Sequence, residues 1–247
     1  MTPLAPPAVV AELAPSGRLR AAFNYGNPVL AAWNPATGEA SGISADLARE
    51  LARCLGVPVD FVPYDAAGKV VAALASGAWD ICFLAIDPLR AADIRFTAAY
   101  VVIEGVYLVA DRSPIGDNAG IDRPGTRVGV IVGSAYDLFL TRELKEATLV
   151  RASSFEAVLE LWTKGELDCI AGVKPQLEEA ARRIPGFRLL PGRFMAINQA
   201  MGTPRGRDAG AKYLHDFVEE MKRSGFIARA FARHRIEGAS MAPLAAA

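Results

Sequence analysis

Asp80-Ile-Cys-Phe-Leu-Ala-Ile-Asp-Pro-Leu-Arg90-Ala-Ala-Asp-Ile-Arg-Phe96-Thr97-Ala-Ala-Tyr100 is the stretch from which the rest of the chain is read. Its first part, Asp80–Leu84, is a short apolar run bounded by turn residues, the pattern of a buried strand. Asp87-Pro88 then turns the chain and presents Arg90. A second apolar segment follows through Phe96 and Tyr100 and continues into a strand over Val106–Ala110. Strand, turn with one arginine, and strand again is an arrangement that leaves a charged side chain at the end of a buried element.

Outward from this stretch, short β-rich runs alternate with helical patterns, which predicts an α/β fold with mainly parallel sheets flanked by helices. Arg18–Ala22 reads as the first strand and Val57–Val62 as another. Ser44 is placed to cap a helix whose Leu47, Leu51 and Leu55 share one face, with Gly56 as its stop. Val70–Ala75 reads as a short helix. Further on, Val128–Val132 is a β-branched strand entering Gly133-Ser134, and a helix runs from there to about Leu144. Ser153 and Glu156 have the spacing of a capping box, Asp168–Ala171 and Phe187–Leu190 read as strands, and Pro175–Arg183 as a helix. Phe194–Met201 is extended, and Asp208–Lys222 and Ile227–His234 are helical. Residues 238–247 carry no pattern and read as a flexible tail.

Composition narrows the function classes. The chain has 247 residues, 52% hydrophobic and 22% charged, with 27 basic against 27 acidic side chains. That balance offers no basic stripe for nucleic acid and no cationic helix for a membrane surface. No apolar run is long enough to insert in a bilayer. Cys54, Cys82 and Cys169 lie in apolar segments at spacings that fit no zinc or redox motif, and with two histidines in all, no metal or other cofactor is expected. The N-terminus, MTPLAPPAVVAELAPSG, lacks the basic start and apolar centre of a secretory signal.

The pattern Arg90-x-x-x-Ile94-x-Phe96-Thr97-x-x-Tyr100 resembles the core of the family 3 solute-binding proteins, the amino-acid receptors of bacterial ABC importers. Three further pieces, in the same order and spacing, carry the resemblance from Gly17 to about His234: Gly42-Ile-Ser-Ala-Asp46-Leu47, Ala73-Leu-Ala-Ser-Gly-Ala-Trp-Asp80, and the Gly125-to-Ser134 strand and turn. It implies two lobes of the type II periplasmic-binding-protein kind joined by a two-stranded hinge. Lobe one would hold residues 1–109 and 197–247, and lobe two residues 110–196. It also implies a small-molecule carboxylate ligand, an ABC permease as partner, and a periplasmic home, whereas the N-terminus as written reads as that of a cytoplasmic chain.

By the same resemblance, Arg90 grips the ligand's carboxylate in a bidentate, charge-assisted pair, and Ser134 meets that carboxylate from a helix N-terminus. Ser134 also reads as a plain N-cap. Asn24 and Asn27 fall in the first loop, with Tyr25 and Trp33, where ligand-covering residues are expected; Asn24-Tyr-Gly-Asn27-Pro28 equally suits a turn. Asn198 and Gln199 are lesser candidates. Two departures stand out. The run that normally holds the ligand's ammonium is Phe83-Leu84-Ala85-Ile86-Asp87, shorter and without hydroxyls, which leaves the carbonyls of Leu84 and Ala85, or Asp87, for that role. The clamping aspartate of lobe two is replaced by Val173, with Lys174 next.

Glu104, among apolar residues, offers a substitute: it binds an ammonium, or acts as a general acid with a raised pKa, or is a salt-bridged strand-end glutamate. On that residue rests the rival reading, a dehydratase on the same scaffold (a carbon–oxygen lyase of the prephenate or arogenate type), with Arg90 as anchor, Glu104 as acid and Lys174 assisting. A cytoplasmic ligand sensor is the third reading. Binding is favoured over catalysis.

Overall fold

The structure, a computed structural model, describes residues 5–245. The first four residues of the N-terminal stretch and the last two of the tail lie outside the described residues. In chain order the elements are α1 (Pro7–Leu13), β1 (Leu19–Asn24), β2 (Ala32–Asn34), β3 (Glu39–Ser41), α2 (Ile43–Leu55), β4 (Val59–Tyr64), α3 (Ala67–Ala72), β5 (Ile81–Ala85) and β6 (Ile94–Ala110). They continue as β7 (Arg127–Ile131), α4 (Ala135–Glu143), β8 (Thr148–Ala152), α5 (Phe155–Thr163), β9 (Cys169–Val173), α6 (Lys174–Arg183) and β10 (Phe187–Leu189). The chain ends with β11 (Met195–Pro204), α7 (Asp208–Arg223), α8 (Phe226–His234) and β12 (Ala239–Met241). The chain divides into two compact units, Met1–Val102 with Asn198–Ile236 and Ser240–Ala247, and Ile103–Ile197 with Glu237–Ala239. The mixed α/β class expected from the alternating pattern is what the elements form.

In the first unit β1 runs parallel to β4 on one side and β5 on the other, in the register Ala21 to Phe61 and Ala21 to Ile81. β11 closes β5 antiparallel, Gln199 opposite Ala85. Ala22, Cys82 and Leu84 send their side chains into a core with Val70, Trp79 and Ile94. The Trp79 indole donates to the Val70 carbonyl at 2.9 Å, which satisfies the one polar atom of that core side chain. Thr97 and Tyr100, read as part of the arginine stretch, are structural here. Thr97 Oγ1 accepts from the Met201 amide at 3.2 Å, and the buried Tyr100 hydroxyl meets Ser44 Oγ at 3.2 Å.

In the second unit β7 lies between parallel neighbours β8 and β9, and β6 runs antiparallel beside β9 with Gly105 opposite Val173. β10 pairs with β6 antiparallel. Phe155, Val158, Leu159 and Trp162 of α5 pack with Leu108, Leu167, Ile170 and Leu177, the apolar face expected from their spacing.

Four expectations need correction. Ser44 does not cap α2: Gly42 does, at φ 99°, where a side chain would stand 2.4 Å from the Leu30 carbonyl oxygen, and Ser44 is buried within the first turn. The α5 cap is Ser154, not Ser153; its Oγ accepts from the Ala157 amide at 3.2 Å. The N-terminal stretch, read only for what it lacks, forms α1, whose Leu13 packs at Gly210 while Glu12 accepts from the Gly210 amide at 2.7 Å. The pattern-free tail contains β12, paired with β6. Beyond it Ala242 donates to the Tyr100 carbonyl, and Lys222 donates to the Pro243 and Ala99 carbonyls at 2.9 and 3.1 Å. The short strands β2, β3 and β8 were not foreseen.

Candidate functional site

Parallel strands that all point one way leave their carboxyl ends on one edge, and in open α/β sheets that edge is where ligands are received. Each unit has such an edge.

On the first unit's edge β1 ends at Asn24 and β5 at Ala85. Arg90 opens a one-turn 3-10 helix after β5 and is 3% exposed. Its Nη1 donates to the Ala85 carbonyl at 2.9 Å, which fixes the guanidinium under the strand end. Burial pulls its pKa down to about 10, opposed by the nearby Asp87 carboxylate, so it is a cation at neutral pH. Asp87 is buried; its Oδ1 accepts from the Leu89 amide at 2.9 Å and its carbonyl from the Ala91 amide, so it shapes the turn that presents Arg90.

The Ala85 carbonyl, a candidate for an ammonium, therefore already carries Arg90, and the Leu84 side chain belongs to the core. Asn24 Oδ1 accepts from the Gly26 amide at 3.0 Å, the turn chemistry that Asn-Tyr-Gly allows. Asn27 differs: its Oδ1 is buried and, among the described residues, has no hydrogen-bond partner. Trp33 packs edge-on against Phe23 with ring centroids 6.0 Å apart, and Tyr25 is exposed. Gln199 is buried on β11, while the Asn198 carbonyl accepts from the Ile86 amide at 2.8 Å.

On the second unit's edge Ser134 follows β7 and caps α4, its Oγ accepting from the Asp137 amide at 3.1 Å. Asp137 reaches back to accept from the Gly133 amide at 2.8 Å and is held by Arg151 at 2.9 Å. A carboxylate of the chain itself thus sits at this helix N-terminus, a feature the Ser-x-x-Asp spacing encodes and sequence reading missed. Val173 is buried at the end of β9. Lys174 opens α6, and its Nζ donates to Glu104 Oε2 at 2.9 Å.

Arg193, also unforeseen, stands 3.6 Å from Glu104 Oε1. It follows the Pro191-Gly192 turn, and Phe194 next to it donates its amide to the Gly105 carbonyl at 3.0 Å, which brings the arginine alongside β6. The Lys174 hydrogen bond, aided by both cations' charge, holds the Glu104 carboxyl below the usual range, and burial opposes this only in part. Of the readings weighed for Glu104, the salt-bridged strand-end glutamate matches the geometry and the raised pKa does not: its neighbours along the strand are apolar, but its side chain leaves them for two cations. Among the described residues no group of acidic, histidine and cysteine side chains is arranged for a metal ion, and no helix is long and apolar enough to cross a membrane.

Among curated proteins none matches the chain. Among solved structures the fold is similar to the solute receptor for L-cysteine of Neisseria gonorrhoeae, at TM-score 0.79 and 21% identity over 95% of this chain and 99% of that one. It is similar also to a mutant of ArgBP from T. maritima, at TM-score 0.77 and 18% identity over 93% of this chain and 100% of that one. A third, at TM-score 0.76 and 20% identity over 91% and 97%, is the ancestral amino acid-binding protein AncCDT-1, described as a precursor of cyclohexadienyl dehydratase. The model of one family matches residues 19–235, nearly the whole described chain, and the protein accordingly belongs to the bacterial extracellular solute-binding proteins, family 3.

Proposed function

We propose that the protein is a receptor for a small carboxylate-bearing metabolite, an amino acid or related organic acid, and that it closes its two units around the ligand and delivers it to an ABC permease. The observation that carries this reading is Arg90, a buried guanidinium fixed at the carboxyl end of β5 by the Ala85 carbonyl. A planar guanidinium suits a carboxylate, which it can meet with two parallel charge-assisted hydrogen bonds. Closure follows if the ligand binds the closed arrangement better than the open one.

The dehydratase reading stood on Glu104 as a proton donor. An ionised carboxylate engaged by Lys174 and near Arg193 is a poor acid, so this alternative loses the residue assigned to its chemistry. The reading is tested by a thermal-shift screen of protein refolded from denaturant to strip carried-over ligand, against amino acids, keto acids, dicarboxylates and aromatic acids. A true ligand at about 100 times its Kd stabilises by roughly 2.7 kcal/mol, on the order of 5–10 °C for a chain of this size. The absence of any shift across the panel, or turnover of an acid during the assay, would overturn the receptor assignment.

A further inference from the structure

The turn after β5 reverses the ordinary order of a surface turn. Its two charged side chains, Asp87 and Arg90, are each 3% exposed, whereas Ile86 and Leu89 are 42% and 67% exposed, and Pro88 between them is exposed too. Turns usually keep polar side chains on the water side and bury apolar ones. The backbone fixes this inverted arrangement: the Ile86 amide donates to the Asn198 carbonyl at 2.8 Å, and the Leu89 amide to Asp87 Oδ1 at 2.9 Å.

β1 runs parallel to β5 with Phe23 opposite Phe83, so the chain leaving β1 at Tyr25 emerges beside the chain leaving β5. Tyr25 is also exposed. Among the described residues the other exposed large apolar side chains are Val132 in the second unit and Met241 and Leu244 in the tail. Exposed hydrophobics scattered singly are ordinary, but three on one strand edge beside a buried cation are a cluster. They are too few for the roughly 800 Å² that a stable protein interface takes from each partner, and they suit the body of a small molecule. Polar atoms on this edge are engaged by the chain itself: Asn24 Oδ1 accepts from the Gly26 amide, and the Ala85 carbonyl from Arg90. Asn27 Oδ1, buried and without a hydrogen-bond partner among the described residues, stays open to one N–H or O–H donor.

We infer that the ligand is a monocarboxylate with an apolar body, aliphatic or aromatic, which Tyr25, Ile86 and Leu89 cover while Arg90 takes its acid group. One amino or hydroxyl group next to the acid would satisfy Asn27. The inference rests on the carboxylate-receptor reading and concerns the first unit alone.

The test titrates refolded protein with pairs of acids matched in shape: leucine against asparagine, and 4-methylpentanoate against succinamate. The apolar member of a pair is expected to bind at least about tenfold more tightly, as burial of a branched aliphatic group implies. That ratio falls about threefold or more in Ile86→Ala and in Leu89→Ala, and is kept in Leu89→Met, which preserves apolar volume. Both side chains are exposed, so Tm should stay nearly unchanged in all three variants and verifies that they fold. Equal or tighter binding of asparagine and succinamate overturns the inference and leaves the receptor reading standing. A ratio unmoved in both alanine variants does the same, and would assign the apolar rim to a protein partner instead. Binding of none of the four, nor of any acid in the wider screen, counts against both.

Discussion

At the scale of single residues, the same chemistry takes opposite roles according to what faces it. Arg90 and Arg20 are both arginines beside a strand of the first unit: Arg20, on β1, binds Asp80 through Nη2 at 2.8 Å and Nε at 3.0 Å, and Arg90, buried after β5, donates to the Ala85 carbonyl beside the Asp87 carboxylate. Glu104 shows how neighbours in sequence mislead. Its folded pKa lies below the ordinary 4.5, so the stability from its pairing is fully present above that value and is lost as pH falls through the folded one. The urea midpoint of the wild type is therefore expected to fall faster with acid than that of Glu104→Gln; parallel curves would remove the pairing from the account.

Arg90 was legible in the sequence because proline, turn and aromatic spacing frame it. Arg193 was not, since its partner Glu104 is remote in sequence, and Asp137, although encoded by the Ser134-x-x-Asp137 spacing, was overlooked.

Elements are registered in both units by one device. Arg20 in β1 binds Asp80, just ahead of β5, through its backbone amide and guanidinium; Arg127 in β7 binds Asp168, just ahead of β9, in the same way. The surroundings differ. Asp80 is fully buried and also meets Arg207 at 3.2 Å, while the Asp168 side chain is 39% exposed.

Asp80→Ala is accordingly expected to cost about 3–5 kcal/mol, the range for breaking a buried pair, and Asp168→Ala within about 1 kcal/mol. Chemical denaturation of the two variants checks this, and equal losses would contradict it. The strands and longer helices could be read because their apolar periods are strong. The tail could not, because β12 is too short for a period and its anchors are remote: Lys222, ion-paired to Glu219, both buried, donates to the Pro243 carbonyl, and Ala245 donates to Glu219 at 3.1 Å. A chain ending at Gly238 is expected to melt on the order of 10 °C lower; an unchanged Tm would return the tail to a passive role.

For the whole molecule, the α/β class was legible from alternating periods, and the family from four short motifs in order. Much of that motif content proves to be scaffold: Asp80 is an ion hub, Thr97 a strand-to-strand bridge, and Tyr100 a core side chain bonded to Ser44. Among the motif residues we assign Arg90 to the ligand, and the central claim narrows to it. The most direct measurement is calorimetric titration of the acid panel into refolded wild-type protein and into Arg90→Ala, with circular dichroism to verify that the variant folds. The account predicts saturable binding of a carboxylate by the wild type, weakened at least about a hundredfold in the variant, as expected when a charge-assisted, bidentate contact is lost. A folded Arg90→Ala protein that binds the same acid with undiminished affinity would contradict it.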